Sequence, residues 1–84
     1  MKFSKIIWDQ LKNLSADDFI SALQRDGFIS DTARGSQRIY KHADGRRISV
    51  HYHAGKTFGP NLLKSLFDDI GWSGKDLRRL KLIK

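Results

Sequence analysis

Apolar residues recur at helical spacing towards both ends of this chain and at strand spacing in its middle. Phe19, Ile20 and Leu23 share one helical face, and the segment Leu14-Ser15-Ala16-Asp17-Asp18-Phe19 carries the signals of a helix start. Ser15 is placed to cap, Asp18 to answer it three residues on as a short-armed capping box, and Asp17 to sit near the positive end of the dipole. Leu14 and Phe19 stand at the two positions of a hydrophobic staple, and Gly27 is the expected stop. Upstream, Ile7, Trp8 and Leu11 predict a short preceding helix. From Phe28 the period shortens: residues 28–33, 37–42 and 47–51 are rich in β-branched and aromatic side chains, with Arg34-Gly35-Ser36 and Ala43-Asp44-Gly45 between them. Asp-Gly between two alternating runs is a strong hairpin signal, so a three-stranded meander is expected. Gly59-Pro60 then opens a helix with Pro60 at its first position, an apolar stripe of Leu62, Leu63, Leu66, Phe67 and Ile70, and Gly71 at its end. Trp72-Ser73-Gly74-Lys75-Asp76-Leu77 repeats the earlier start device and leads into a short basic last helix.

The order is helix, three antiparallel strands, helix, with short additions at both ends. This is an α+β fold in which the helices must cover one sheet face, because three strands alone bury too little surface. The other face, or an edge, stays open for function. With 84 residues there is room for one core. We expect one domain over 1–84, with a central unit at about 15–71, an N-terminal extension over 1–14 and a basic C-terminal helix over 73–84.

Charge narrows the function. The sixteen Lys and Arg outweigh nine acids to give +7. In residues 1–36 the basic and acidic residues cancel, and the whole excess lies in 37–84. Such segregation suits a phosphate-binding surface better than a solubility charge. There is no cysteine, which excludes a disulfide scaffold, a thiol nucleophile and a cysteine-based zinc site. All nine acids are Asp, mostly in capping or turn positions, so no carboxylate pair for acid–base work stands out. His51 and His53 have a spacing that could ligate metal but lack supporting ligands, so no metal and no cofactor is expected. No apolar run approaches the ~20 residues of a membrane span. The opening segment is too polar for a signal peptide, and a cytoplasmic location is expected.

The order α-β-β-β-α is that of a double-stranded-RNA-binding domain. Asp26-Gly27-Phe28, Arg34-Gly35-Ser36, Tyr40-Lys41-His42-Ala43-Asp44-Gly45-Arg46, His53-Ala54-Gly55-Lys56 and Gly59-Pro60-Asn61-Leu62-Leu63-Lys64 go further. In this order they resemble the HicA family of bacterial toxins, over about residues 15–71. The resemblance implies a metal-independent endoribonuclease that cleaves mRNA and is held silent by a HicB-like antitoxin protein. It also implies a catalytic histidine directly after the Gly-Ser pair, and that position is Gln37 here. Ala43 stands where the family's hairpin usually has Pro.

Cleaving RNA without metal requires taking a proton from the 2′-OH and giving one to the leaving oxygen, which needs a group titrating near neutral pH. An amide does neither. Gln37 is either a natural departure or a replacement that lets a lethal toxin be produced, and the amide's near-isosteric reach favours the second. The chain is therefore expected to bind RNA and to cleave it poorly or not at all. The RNA-contacting set is expected to comprise Ser36, Lys41, Arg46, Arg47, His53, Lys56 and Lys64, with the amino end of the helix at Gly59-Pro60 offering N–H groups to phosphate. His42, beside the hairpin turn, reads as turn-stabilising. Arg38 and Tyr40 alternate with Gln37 and should face away from it, Tyr40 into the core. A non-catalytic double-stranded-RNA-binding-like module and a protein-binding component remain the competing readings.

Overall fold

The computed structural model describes residues 4–53 and 56–84. Helices α1 (Lys5–Leu11) and α2 (Ala16–Arg25) precede strands β1 (Ile29–Arg34), β2 (Gln37–Lys41) and β3 (Arg47–His51), and helices α3 (Pro60–Ile70) and α4 (Gly74–Arg79) follow. The strands form one antiparallel sheet in the order β1-β2-β3. This is the α-β-β-β-α arrangement expected, with a short helix added at each end.

The helix boundaries follow from local chemistry. Ser15 Oγ accepts from Asp18 N–H at 3.2 Å, and the Asp18 carboxylate accepts from Ser15 N–H at 3.2 Å. This reciprocal pair satisfies two donors that α2 would otherwise leave open. At the other end Phe28 N–H reaches the Leu23 carbonyl and Gly27 N–H the Gln24 carbonyl. Such a closure needs a left-handed residue, and Gly27 has φ +103°. A Cβ there would also stand 2.8 Å from His42 Nε2, so Gly27 is required twice over. Pro60 opens α3 and Gly71 (φ 73°) closes it.

The last helix ends earlier than the 73–84 expected from sequence. Lys81 turns left-handed (φ 63°), Lys81 N–H bonds the Arg78 carbonyl, and Leu82 N–H bonds that of Leu77. The reversal drops Ile83 into the core. Burial, rather than helix propensity, decides this end.

One face of the sheet is covered. Tyr40, Ile48 and Val50 point inward against Phe19, Leu63, Leu66, Phe67 and Ile70. Phe19 packs edge-on against Phe58 and Trp72, with ring centroids 5.8 and 5.7 Å apart. Leu11, Leu77, Leu80 and Ile83 belong to the same core, so both terminal additions are part of one packed unit. Arg25 donates to the Leu80 carbonyl at 2.6 Å, and Lys84 N–H to Gln10 Oε1 at 2.7 Å.

Where α2, the β2–β3 hairpin, α3 and α4 meet, the Asp26 carboxylate accepts from Trp72 Nε1 (2.9 Å) and Arg79 (2.7 Å) and pairs with Arg46 at 3.2 Å. The side chain is only 6% exposed. Burial alone raises its pKa. The Trp72 and Arg79 hydrogen bonds and the charges of Arg46 and Arg79 outweigh that and hold it below the usual carboxylate range. A folded-state pKa below the unfolded one stabilises the fold above the unfolded value, ~3.9, and that contribution fades as pH falls through the folded value. Asp26→Asn should therefore cost about 2–3 kcal/mol at pH 7 in chemical denaturation. The difference between variant and parent should shrink below about pH 4.

Candidate functional site

Alternation along β2 divides its side chains between two faces. Arg38 and Tyr40 go to the helix side, where Arg38 lies 4.0 Å over the Tyr52 ring and Tyr40 is buried. Tyr52 in turn bonds Asp17, which raises the phenol's pKa. Gln37, Ile39 and Lys41 go to the open face.

Register then selects their neighbours. Arg34 pairs with Gln37 across the two-residue turn Gly35-Ser36, and Thr32 pairs with Ile39. On the other side Gln37 pairs with His51, Ile39 with Ser49 and Lys41 with Arg47. Residues directly opposite in an antiparallel ladder share a face. The open face therefore collects Arg34, Gln37, Lys41, Arg47, Ser49 and His51. Thr32, Arg34, Gln37, Ile39 and Arg47 line a concavity of about 290 Å³ on it. That is the low end for ligand pockets and suits contact along a chain better than enclosure of a small molecule.

Gln37 is not idle there. Its Nε2 donates to Ser49 Oγ at 2.8 Å, which draws the side chain towards β3. A bulge between Ser30 and Thr32 leaves Asp31 without a ladder partner. Its carboxylate stands 3.2 Å from Lys41 Nζ and 3.7 Å from Arg47. At this exposure such pairs contribute little, and both cations remain available to a polyanion.

The residues expected to contact RNA do not form one cluster. Lys41 and Arg47 share the open face with Gln37. Ser36 sits in the β1–β2 turn, where its carbonyl accepts from Tyr52 N–H at 2.6 Å. His53 and Lys56 lie past the end of β3. With His51, Ala16, Thr57, Phe58 and Leu62 they line a separate cavity of about 150 Å³. Ala54 and Gly55 of that motif fall outside the described residues. Lys64 is on the solvent side of α3, beside Asn61, Ser65, Asp68 and Asp69, in the helical layer rather than on the open face.

Arg46 is held differently from the other residues expected to contact RNA. Its guanidinium pairs with Asp26, donates to Asp44 at 2.8 Å and to the Ile70 carbonyl at 2.8 Å, and lies 5.0 Å over the Phe28 ring. It precedes β3 and turns to the covered side, where these contacts give it a structural role. His42 is structural too, as expected. Its Nε2 lies 2.7 Å from the Asp26 carbonyl, Nδ1 accepts from Asp44 N–H at 3.1 Å, and the ring packs edge-on to Phe28.

Arg34 and His51 lie on the open face although neither was among the expected RNA contacts. A two-residue Gly35-Ser36 turn already places Arg34 opposite Gln37. His51 needs the β2–β3 loop length, which is fixed only once His42 N–H closes on the Arg46 carbonyl. Among the described residues no helix is long and apolar enough to cross a membrane, and no three His, Cys, Asp or Glu converge as metal ligands.

The fold and this face define a small α+β domain with a basic, uncovered sheet surface. Residues 16–72 match the family described as the HicA toxin of bacterial toxin–antitoxin systems, and the chain belongs to that family. The match runs from the start of α2 to Trp72 and so includes the whole sheet. Membership implies an antitoxin partner. No curated protein matches the chain.

The neighbouring arginines should separate cleanly. Arg46→Ala should lower Tm by roughly 10 °C, as expected for ~2 kcal/mol in a domain of this size. Arg47→Ala should leave Tm within a few degrees, because an exposed ion pair is worth ~0–1 kcal/mol. Thermal unfolding followed by circular dichroism reads both.

Proposed function

We propose that this chain is the toxin of a HicA/HicB-like pair, built to cleave mRNA without metal, and that Gln37 leaves it able to bind RNA but with little or no cleavage. The observation that carries this is the place of Gln37: on the middle strand at one end of the open face, with Arg34 on one side and His51 on the other, and Lys41 and Arg47 further along. The cations hold a phosphodiester backbone there. Position 37 is where a side chain meets that backbone, and an amide at that position has no proton to exchange. The partner is a HicB-like antitoxin whose surface is acidic where it masks this face.

RNA binding should be largely independent of sequence and should weaken steeply with salt. Arg34→Ala and Arg47→Ala should each reduce the slope of log K against log salt by about 0.7, the value per phosphate of a single strand. Gln37→His should switch on RNA cleavage that persists in EDTA, follows a titration near neutral pH and exceeds the parent's by ~10²–10⁴-fold. A Gln37→His protein that stays folded and RNA-bound but inert would overturn the nuclease reading in favour of a plain RNA-binding module.

A further inference from the structure

The hydrogen-bond pattern at the end of the β2–β3 ladder decides how close position 37 and His51 come. Tyr52 N–H donates to the Ser36 carbonyl at 2.6 Å. That makes 36/52 a hydrogen-bonded pair, and the next pair, Gln37/His51, a non-hydrogen-bonded one. Side chains of such pairs approach most closely, with Cα atoms ~4.5 Å apart. Gln37 already leans towards β3 through its bond to Ser49. His51 is exposed, and no hydrogen bond or ion pair ties its ring to the described residues. The other histidines are placed differently: His42 is locked between Asp26 and Asp44, and His53 lies beyond the ladder.

RNA cleavage through the 2′-OH needs two proton transfers at oxygens on opposite sides of phosphorus. One imidazole must otherwise serve both in turn. We infer that His51 is a second catalytic acid–base group for RNA cleavage on this face, an inference that rests on the nuclease reading above. One group takes the 2′-OH proton as the O2′–P bond forms. The other, protonated, gives its proton to O5′ as the P–O5′ bond breaks. The products are a 2′,3′-cyclic phosphate and a 5′-hydroxyl, and exchange with water resets both groups. The charges around this spot are those of Arg34 and Arg47 on the sheet and Lys56 beyond the strand, with His53 the other titratable neighbour. This positive surround suits the negative charge that builds on phosphorus.

The test compares Gln37→His with Gln37→His/His51→Gln, both made by cell-free synthesis and assayed on a short RNA in EDTA across pH. Affinity is measured on the 2′-O-methyl form of the same RNA, which cannot react. The second substitution should cut kcat by ~10²–10⁴-fold and remove one limb of a two-limbed pH profile, with the affinity unchanged. A double variant that matches the single one in rate and in both limbs would overturn the role of His51 and leave the nuclease reading standing. A folded, RNA-bound Gln37→His protein that does not cleave would instead overturn that reading, and His51 with it.

Discussion

A buried carboxylate that stays charged has to be surrounded by donors, and in this protein those donors come from three different parts of the chain. Asp26 closes α2. Trp72 follows α3, Arg79 ends α4, and Arg46 immediately precedes β3. Desolvating the carboxylate is costly, and only the simultaneous presence of two guanidiniums and an indole N–H offsets it. The arrangement is therefore all-or-none: the helix ends and the hairpin are either placed together or leave a charge stranded. Arg46 passes the constraint on, because it also binds the Ile70 carbonyl at the end of α3 and the Asp44 carboxylate in the turn. Asp44 is held below the usual carboxylate range by the Arg46 backbone N–H and the same guanidinium. The turn so fixed sets the β2–β3 register, and the register brings Gln37 and His51 opposite one another.

Adjacent residues of like chemistry serve different purposes because they point to opposite sides of the sheet. Arg46 precedes β3 and goes to the covered side, where it is satisfied by protein groups. Arg47 begins β3 and faces the open side, where the Asp31 carboxylate stands 3.7 Å away in a bulge. A sheet with one face packed and one free permits this division, since every second residue is released from the core. The same parity places Tyr40 in the core and leaves Gln37 outside it.

Much of this was legible in the sequence. The caps at Ser15 and Gly27, Pro60 and Gly71 at the two ends of α3, the Asp-Gly hairpin and the core faces are all local signals, and each residue does what its chemistry suggests. The place of Gln37 on the open face also followed from alternation. The fate of Arg46 did not, because what fixes it is a carboxylate twenty residues earlier and a carbonyl twenty-four residues later. The end of α4 was misjudged for a similar reason: Lys81 adopts a left-handed conformation that its type disfavours so that Ile83 can be buried. His51 stood in the sequence as a titratable candidate with a metal-like spacing, and nothing there placed it to take over from the missing base. Its relation to Gln37 depends on a loop closure that spacing alone leaves open by one residue, and one residue decides which face it occupies.

The bulge at Asp31 also bears on how the molecule behaves among its own copies. All six residues of β1 are exposed, including Ile29 at 61%, and the outer side of the strand has no neighbour among the described residues. A flat edge of that kind is a template on which another chain can add a strand. The extra residue breaks the regular spacing of backbone donors and acceptors at mid-strand, and Arg34 adds a charge at the far end. A protein that must keep one face of its sheet bare thus carries an interruption along its outer strand that works against self-stacking into a larger sheet.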